Sequence, residues 1–155
     1  MKKKPMTLCF VRRENEVLLG LKKRGFGMGR WNGFGGKLQE GESIEDATKR
    51  EVFEEVGIEI KALQKVGVID FSWNHKPDIL EVHIFEAKDF SGEAQESEEM
   101  KPEWFSLEKI PYEKMWSDDK YWLPLFLTGK KFEGQFLFDE KDQVLKQELK
   151  IIDNA

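Results

Sequence analysis

Cysteine is almost absent from the 155 residues: Cys9 stands alone. A lone cysteine excludes an internal disulfide framework and any zinc site built on several thiols. Set in an apolar run, Cys9 reads as a small buried hydrophobe of a strand. Histidine is nearly as scarce, with His75 in a turn and His83 in a strand. Neither has a partner at metal-ligand spacing, so both are assigned structural roles. No segment approaches the ~18 consecutive apolar residues of a membrane-spanning helix. The opening MKKKPM leads into a strand-like run instead of the apolar centre of a signal peptide, and the expectation is a cytoplasmic protein that does not bind membranes. Positive charge is also in deficit, with 25 Lys and Arg against 30 Asp and Glu for a net charge of -5. That balance argues against stable nucleic-acid binding, which needs a basic face. One anionic nucleotide is a different matter, because local cations can invert the field. Lys22, Lys23, Arg24, Arg30 and Lys37 are the candidates for that patch, with solvated strand ends as the plainer reading of Lys22 and Lys23. Internal repeats, low-complexity segments and linkers are missing too, so residues 1–155 are expected to form one ordered domain.

What the chain does have is a dense stretch from Gly36 to Ile58, GKLQEGESIEDATKREVFEEVGI. Ser43 is a good N-cap, and Asp46 three residues on completes the capping-box spacing, which predicts a helix from Ile44. Gly57 closes it, since glycine takes the left-handed conformation needed just past a helix end. On that helix Glu51, Glu54 and Glu55 lie at i, i+3 and i+4 and project from one side. A solvated acidic face is the plain reading. A cluster of carboxylate oxygens is also what hard divalent cations require, and that reading is preferred. Arg50 points to a neighbouring side, placed to hold one carboxylate by a bidentate pair.

Before the helix, Thr7 to Arg13 and Glu16 to Lys22 read as adjacent strands, followed by the loop GFGMGRWNGFGG from Gly25 to Gly36. The loop matches neither a Walker A motif nor a dinucleotide fingerprint. Trp31 and Phe34 are assigned to packing, and Phe26, flanked by glycines, to a ligand. After the helix, Ala62 to Trp73 and Ile79 to Ala87 read as strands joined by a turn at 74–78. Phe71 and Trp73 share one face, where Trp73 is either core or a base platform. Asp89 to Glu99 reads as a surface loop ending in Glu96, Glu98 and Glu99; of these, Glu99 is the preferred outside ligand or base for the helix glutamates. A strand over 101–106 follows. Ser117 is then expected to cap a helix with Asp118 and Asp119 in its first turn, which makes capping the plain explanation of that pair. Tyr121, Trp122, Leu125 and Phe126 would bury one side, and Pro124 would weaken the middle. FEGQFLF and VLKQELKII read as two last strands.

Gly36, Glu42, Arg50, Glu51, Val52, Glu54, Glu55, Gly57 and Ile58 occupy every position of G-x5-E-x7-R-E-U-x-E-E-x-G-U, U being a bulky aliphatic. The chain thereby resembles the Nudix hydrolases over a box at residues 36–58. The resemblance implies an α/β/α sandwich with a mixed β-sheet. It also implies hydrolysis of a nucleoside diphosphate linked to another moiety, with Mg2+ on the box glutamates. Outside the box, LLGLKKRGFGMGRWNGFGGKLQEGE, ESEEMKPEWF and KMWSDDKYWLPL resemble the oxidised-purine nucleoside triphosphatases, or 8-oxo-dGTPases, with similarity along essentially the whole chain.

That closer resemblance implies that Asn32 hydrogen-bonds the base, Asp118 and Asp119 read its purine edge, and Trp116 stacks on its ring. Phe26, Thr7 and Met100 would line the same pocket, with Lys22, Phe71 and Trp73 completing the substrate set. One to three Mg2+ ions, with Mn2+ as the alternative, would sit on Glu51, Glu54, Glu55, the Gly36 carbonyl and Glu99. Glu55 or Glu99 would take a proton from the attacking water, and Arg50 belongs with these glutamates in the catalytic set. The products would be a nucleoside monophosphate and pyrophosphate, the role sanitation of the nucleotide pool, and the working unit a monomer. Burial and mutual repulsion should raise the pKa values of Asp118 and Asp119. A protonated carboxyl donates where an ionised one only accepts, so moving that proton would let one pocket accept oxidised guanine and oxidised adenine. Alternatives are a Nudix enzyme for dinucleoside polyphosphates or nucleotide sugars, against which the SDD and RWNGFGG segments speak, a silent binding module, against which the intact glutamates speak, and an isomerase, for which Cys9 is misplaced.

Overall fold

The structure, a computed structural model, describes residues 3–152. Two long strands, β1 (Lys3–Arg13) and β2 (Glu16–Lys22), open the chain and pair antiparallel only near their turn, over residues 11–13 and 16–18. Beyond that point β2 veers away to pair with the two-residue β3 (Trp31–Asn32) and with β6 (Met100–Ser106). The segment 33–37 fills the resulting split. It bridges β1 at Cys9–Phe34 and Met6–Lys37. Glycine is required there: a Cβ on Gly35 would collide with the backbone of Thr7. A cleft therefore opens beside β1, floored by main chain.

The other edge of β1 pairs parallel with β5 (Lys76–Ser91), which is antiparallel to β4 (Glu59–Trp73). The sheet then continues through β7 (Lys131–Phe138), parallel to β4, to the outer strand β8 (Val144–Ile152). β4 and β5 are longer than their apolar alternation suggested, because polar residues at their ends carry on the ladder. Their turn shrinks to Asn74 and His75, and residues 89–91 belong to β5, which leaves a surface loop over 92–99.

Alternation along β1 sends Met6, Leu8 and Phe10 to one face and Cys9 and Val11 to the other. The first face carries the larger core, where Trp122, Leu123 and Phe126 of α2 (Asp119–Leu127) meet Phe132 and Phe136. The second packs under Val52 and Val56 of α1 (Ile44–Val56). A mixed sheet with a helix on each side is the expected sandwich. Cys9 is fully buried, and buried His83 sits with Nε2 2.8 Å from Glu81.

α1 begins and ends where its cap residues predict. Ser43 Oγ accepts the Asp46 N–H at 3.1 Å, and Gly57 takes φ 77°. α2 does not. Asp118 occupies its N-cap position without a side-chain cap bond, and the Ser117 hydroxyl donates instead to the Asp142 carbonyl at 2.7 Å. Neither aspartate is spent on capping. Tyr121 is also more exposed than expected, its place in the core being taken by Leu123.

Candidate active site

The glutamates of α1 meet the cleft where Gly35 and Gly36 cross β1. Glu55 is 8% exposed and accepts the Gly35 N–H at 3.1 Å. Burial, reinforced by Glu51, pushes its carboxyl up to about 8 against the pull of Lys22. Glu51 is pushed up as well, again mainly by burial, with Arg50 opposing. Arg50 is the local organiser. Its Nε and one terminal nitrogen bind Glu42 at 2.6 and 3.0 Å, and its other nitrogen meets Glu51 at 3.0 Å and Glu54 at 3.1 Å. It also donates to the Lys37 carbonyl at 3.0 Å. The bidentate partner is thus Glu42, from outside the helix, and the pair staples the loop after Gly36 onto α1. With Glu51 and Glu54 both turned to Arg50, no three acidic, histidine or cysteine side chains among the described residues are drawn together into a cation cage. The Gly36 carbonyl accepts the Thr7 N–H at 2.9 Å and, more weakly, the Thr7 hydroxyl at 3.4 Å.

From Glu51 and Glu55 a cavity of about 580 Å³ runs along the cleft to the start of α2. Its lining includes every residue of the expected substrate set: Thr7, Lys22, Phe26, Asn32, Phe71, Trp73, Met100, Trp116, Asp118 and Asp119. Gly36 and Glu99 line it too, whereas Glu54 and Arg50 stay outside. Of the basic patch, Lys22, Arg30 and Lys37 reach the cavity. Lys23 is held by Glu96 at 2.6 Å, and Arg24 lies 3.5 Å from both Glu98 and Glu99, so these cations fasten the acidic loop to the cavity's rim.

At the far end Asp118 and Asp119 are 3% and 2% exposed, with no basic side chain paired to either among the described residues. Burial pushes both carboxyls up. The Trp122 indole, donating to Asp118 Oδ2 at 2.6 Å, moderates the first, while repulsion from Asp118 lifts the second further. Asp119 Oδ2 is buried without a hydrogen-bond partner. Asn32 accepts the Gly33 N–H on Oδ1 at 2.8 Å, which orients its carboxamide at the cavity wall. The Arg30 guanidinium lies over Trp116, 4.2 Å from its ring centre, and the ring of Phe26, a residue 66% exposed, is tilted against Trp116 at 5.1 Å. Sequence reasoning placed Trp122 in the core without seeing that it also lines the cavity, and did not single out Phe138. Trp122 sits four residues after Asp118, one helical turn away, a spacing that was readable. Phe138 stacks on Phe71 at 5.7 Å through a strand pairing that no local pattern announces.

The signature of the NUDIX domain matches residues 2–126, and the chain belongs to that family. It is 52% identical over 148 residues to the oxidized purine nucleoside triphosphate hydrolase of Mus musculus, covering 96% of this chain and 95% of the mouse protein. It is 48% identical to the Danio rerio protein of the same name, over 94% of each chain. Among solved structures it resembles a mutator MutT protein from Bacillus halodurans with TM-score 0.84 and 28% identity, covering 94% of this chain and 97% of that one. Nudix hydrolases work with a divalent metal. No helix among the described residues is long and apolar enough to cross a membrane.

Proposed function

We propose that the protein is a Mg2+-dependent pyrophosphohydrolase that converts oxidised purine nucleoside triphosphates, 8-oxo-dGTP and 2-hydroxy-dATP among them, to monophosphate and pyrophosphate. It would act as a cytoplasmic monomer that sanitises the nucleotide pool. The observation that carries the substrate is the buried pair Asp118 and Asp119, without a basic partner among the described residues, at one end of a cavity whose other end holds Glu51 and Glu55. The names of the mouse and zebrafish relatives support the same reading.

The donor set suits a hard divalent ion. It offers oxygen ligands alone, and Glu55 is a buried carboxylate whose hydrogen-bond donor among the described residues is a single backbone N–H. Glu51, Glu54, Glu55, Glu99 and the Gly36 carbonyl would hold Mg2+, or Mn2+ in its place. Bound there, the metal supplies charge neutralisation for the triphosphate and acidifies water. Arg50 keeps Glu51 and the loop after Gly36 in register, and Lys22 faces the phosphates from the cavity wall. Glu55 or Glu99 accepts the proton of the attacking water. At the base end, Asn32 and the aspartates hydrogen-bond the purine while Trp116, Phe26, Thr7, Met100, Phe71 and Trp73 enclose it. One shared proton lets Asp118 and Asp119 present one donor and one acceptor in either order. Pyrophosphate release with Mg2+ across normal and modified triphosphates tests the reading. Oxidised purines should lead the panel, and equal rates for dGTP and 8-oxo-dGTP would sink it.

A further inference from the structure

The turn between β7 and β8 contains two aspartates with different tasks. Asp139 closes the turn: its Oδ1 accepts the N–H groups of Lys141 and Gln143 at 2.8 and 3.0 Å, and its carbonyl accepts that of Asp142 at 3.1 Å. This holds Asp142 at φ 60°, a left-handed conformation that aspartate tolerates better than most residues. The side chain of Asp142 takes no part in closing the turn. Its Oδ1 accepts the Trp73 indole N–H at 2.9 Å, its Oδ2 lies 3.4 Å from Arg30, and its carbonyl accepts the Ser117 hydroxyl at 2.7 Å.

Two of those partners line the cavity from different sides, and the third adjoins two residues that line it. Trp73 ends β4 and lines it directly. Arg30 precedes β3 and lies over the ring of Trp116. Ser117 sits between Trp116 and Asp118 in the chain. We infer that Asp142 is a positioning residue of the base pocket, a latch that sets Trp73, the Arg30–Trp116 stack and the start of α2 relative to one another. Asp142 itself does not line the cavity. It acts through the walls, so its loss should loosen capture of the base more than the chemistry at the opposite end. The assignment rests on the cavity being a nucleotide site, as proposed above.

The substitution to use is Asp142→Gly, which keeps the left-handed backbone and removes both carboxylate contacts. With whichever nucleotide the wild type turns over best, KM should rise about tenfold, the scale of lost charge-assisted hydrogen bonds, with kcat within about twofold. Asp142→Asn retains an acceptor for Trp73 and tolerance of φ 60° but not the charge facing Arg30, and should recover part of the KM. Trp73→Phe keeps a ring and loses the donor. Combined with Asp142→Gly it should raise KM by less than the product of the single effects, because both remove one contact. The Trp73 indole N–H, followed by hydrogen exchange in the free protein, should be protected in the wild type and exposed in Asp142→Gly. Unchanged KM with only a lower Tm, fully additive single effects, or equal indole exchange in the two proteins would overturn the latch. If the wild type hydrolyses no oxidised purine nucleotide, the substrate reading fails by itself, and the indole exchange still decides whether Asp142 holds the wall.

Discussion

The two ends of the cavity hold negative charge in opposite ways. Around α1, Glu42, Glu51 and Glu54 share one guanidinium, and water reaches several of the groups. Around α2, Asp118 and Asp119 are nearly sealed from solvent, burial pushes both carboxyls up, and one indole N–H bonds the first. The first arrangement suits a site that must exchange a side-chain cation for a metal and a polyphosphate. The second suits a site that must read a neutral base, where a carboxyl is useful as a donor. Carboxylates held by a cation and carboxylates held by burial are thus kept apart along one cleft.

Four substitutions would break that contrast. The largest effect is expected for Glu55→Gln, which removes a charge at the buried centre of the phosphate end: kcat should fall on the order of 10³-fold. Nucleotide binding, followed by calorimetry, should survive, and near-normal turnover would remove Glu55 from the metal set. At the other end, Asp119→Asn and Asp118→Asn each fix a donor where the proposed shared proton would move. Each should change the ratio of kcat/KM for oxidised guanine against oxidised adenine nucleotides by roughly 10- to 100-fold. Ratios unchanged in both variants would end the shared-proton idea. Arg50→Lys keeps the charge but not the fork that holds Glu42 while reaching Glu51 and Glu54. A loss of about tenfold in kcat/KM is expected, with 8-oxo-dGTP and dGTP affected alike, because the base end is untouched.

The smallest effect concerns stability. The folded-state pKa values of Asp118 and Asp119 are raised above the usual carboxylate range. Between about pH 4, where unfolded carboxylates ionise, and the folded values, the native protein binds more protons than the unfolded chain, so this pair lowers stability as pH rises. Asp119→Asn removes part of that penalty. Without nucleotide or metal, its advantage over wild type should be greater at pH 8 than at pH 5, by about 1–3 kcal/mol. Glu55 titrates in the same window in both proteins and drops out of the difference. Thermal unfolding at the two pH values checks it; an advantage independent of pH would mean that the pair is ionised throughout.

How much of this was legible in the residues follows the same division. The caps of α1 are local, Ser43 to Asp46 and Gly57 to Phe53, so the helix could be placed to the residue. Its carboxylates were legible as a row but not in their partners, since Arg50, in the helix, reaches back past the N-cap to Glu42, eight residues earlier. Ser117 misled for a physical reason. A serine before two acids is a good cap in isolation, but its hydroxyl found a carbonyl 25 residues downstream. The residues at the far end were singled out through family resemblance alone: Asn32, Asp118 and Asp119 come to line one cavity through the packing of α2 against the sheet, and no periodicity records that. Edge geometry was least legible. The cleft depends on β2 parting from β1, which neither strand's alternation foretells.

That parting has a consequence for how such a pocket changes over time. Its floor is peptide backbone, laid down by the glycine segment 33–37 against β1, and any Cβ on Gly35 would strike Thr7. The aperture is consequently a property of strand spacing and is indifferent to drift in side chains. Side chains of the wall, Trp73 and also Leu80, which lines the same cavity, can change its shape, while the spacing from the far end to the glutamates stays as the backbone sets it.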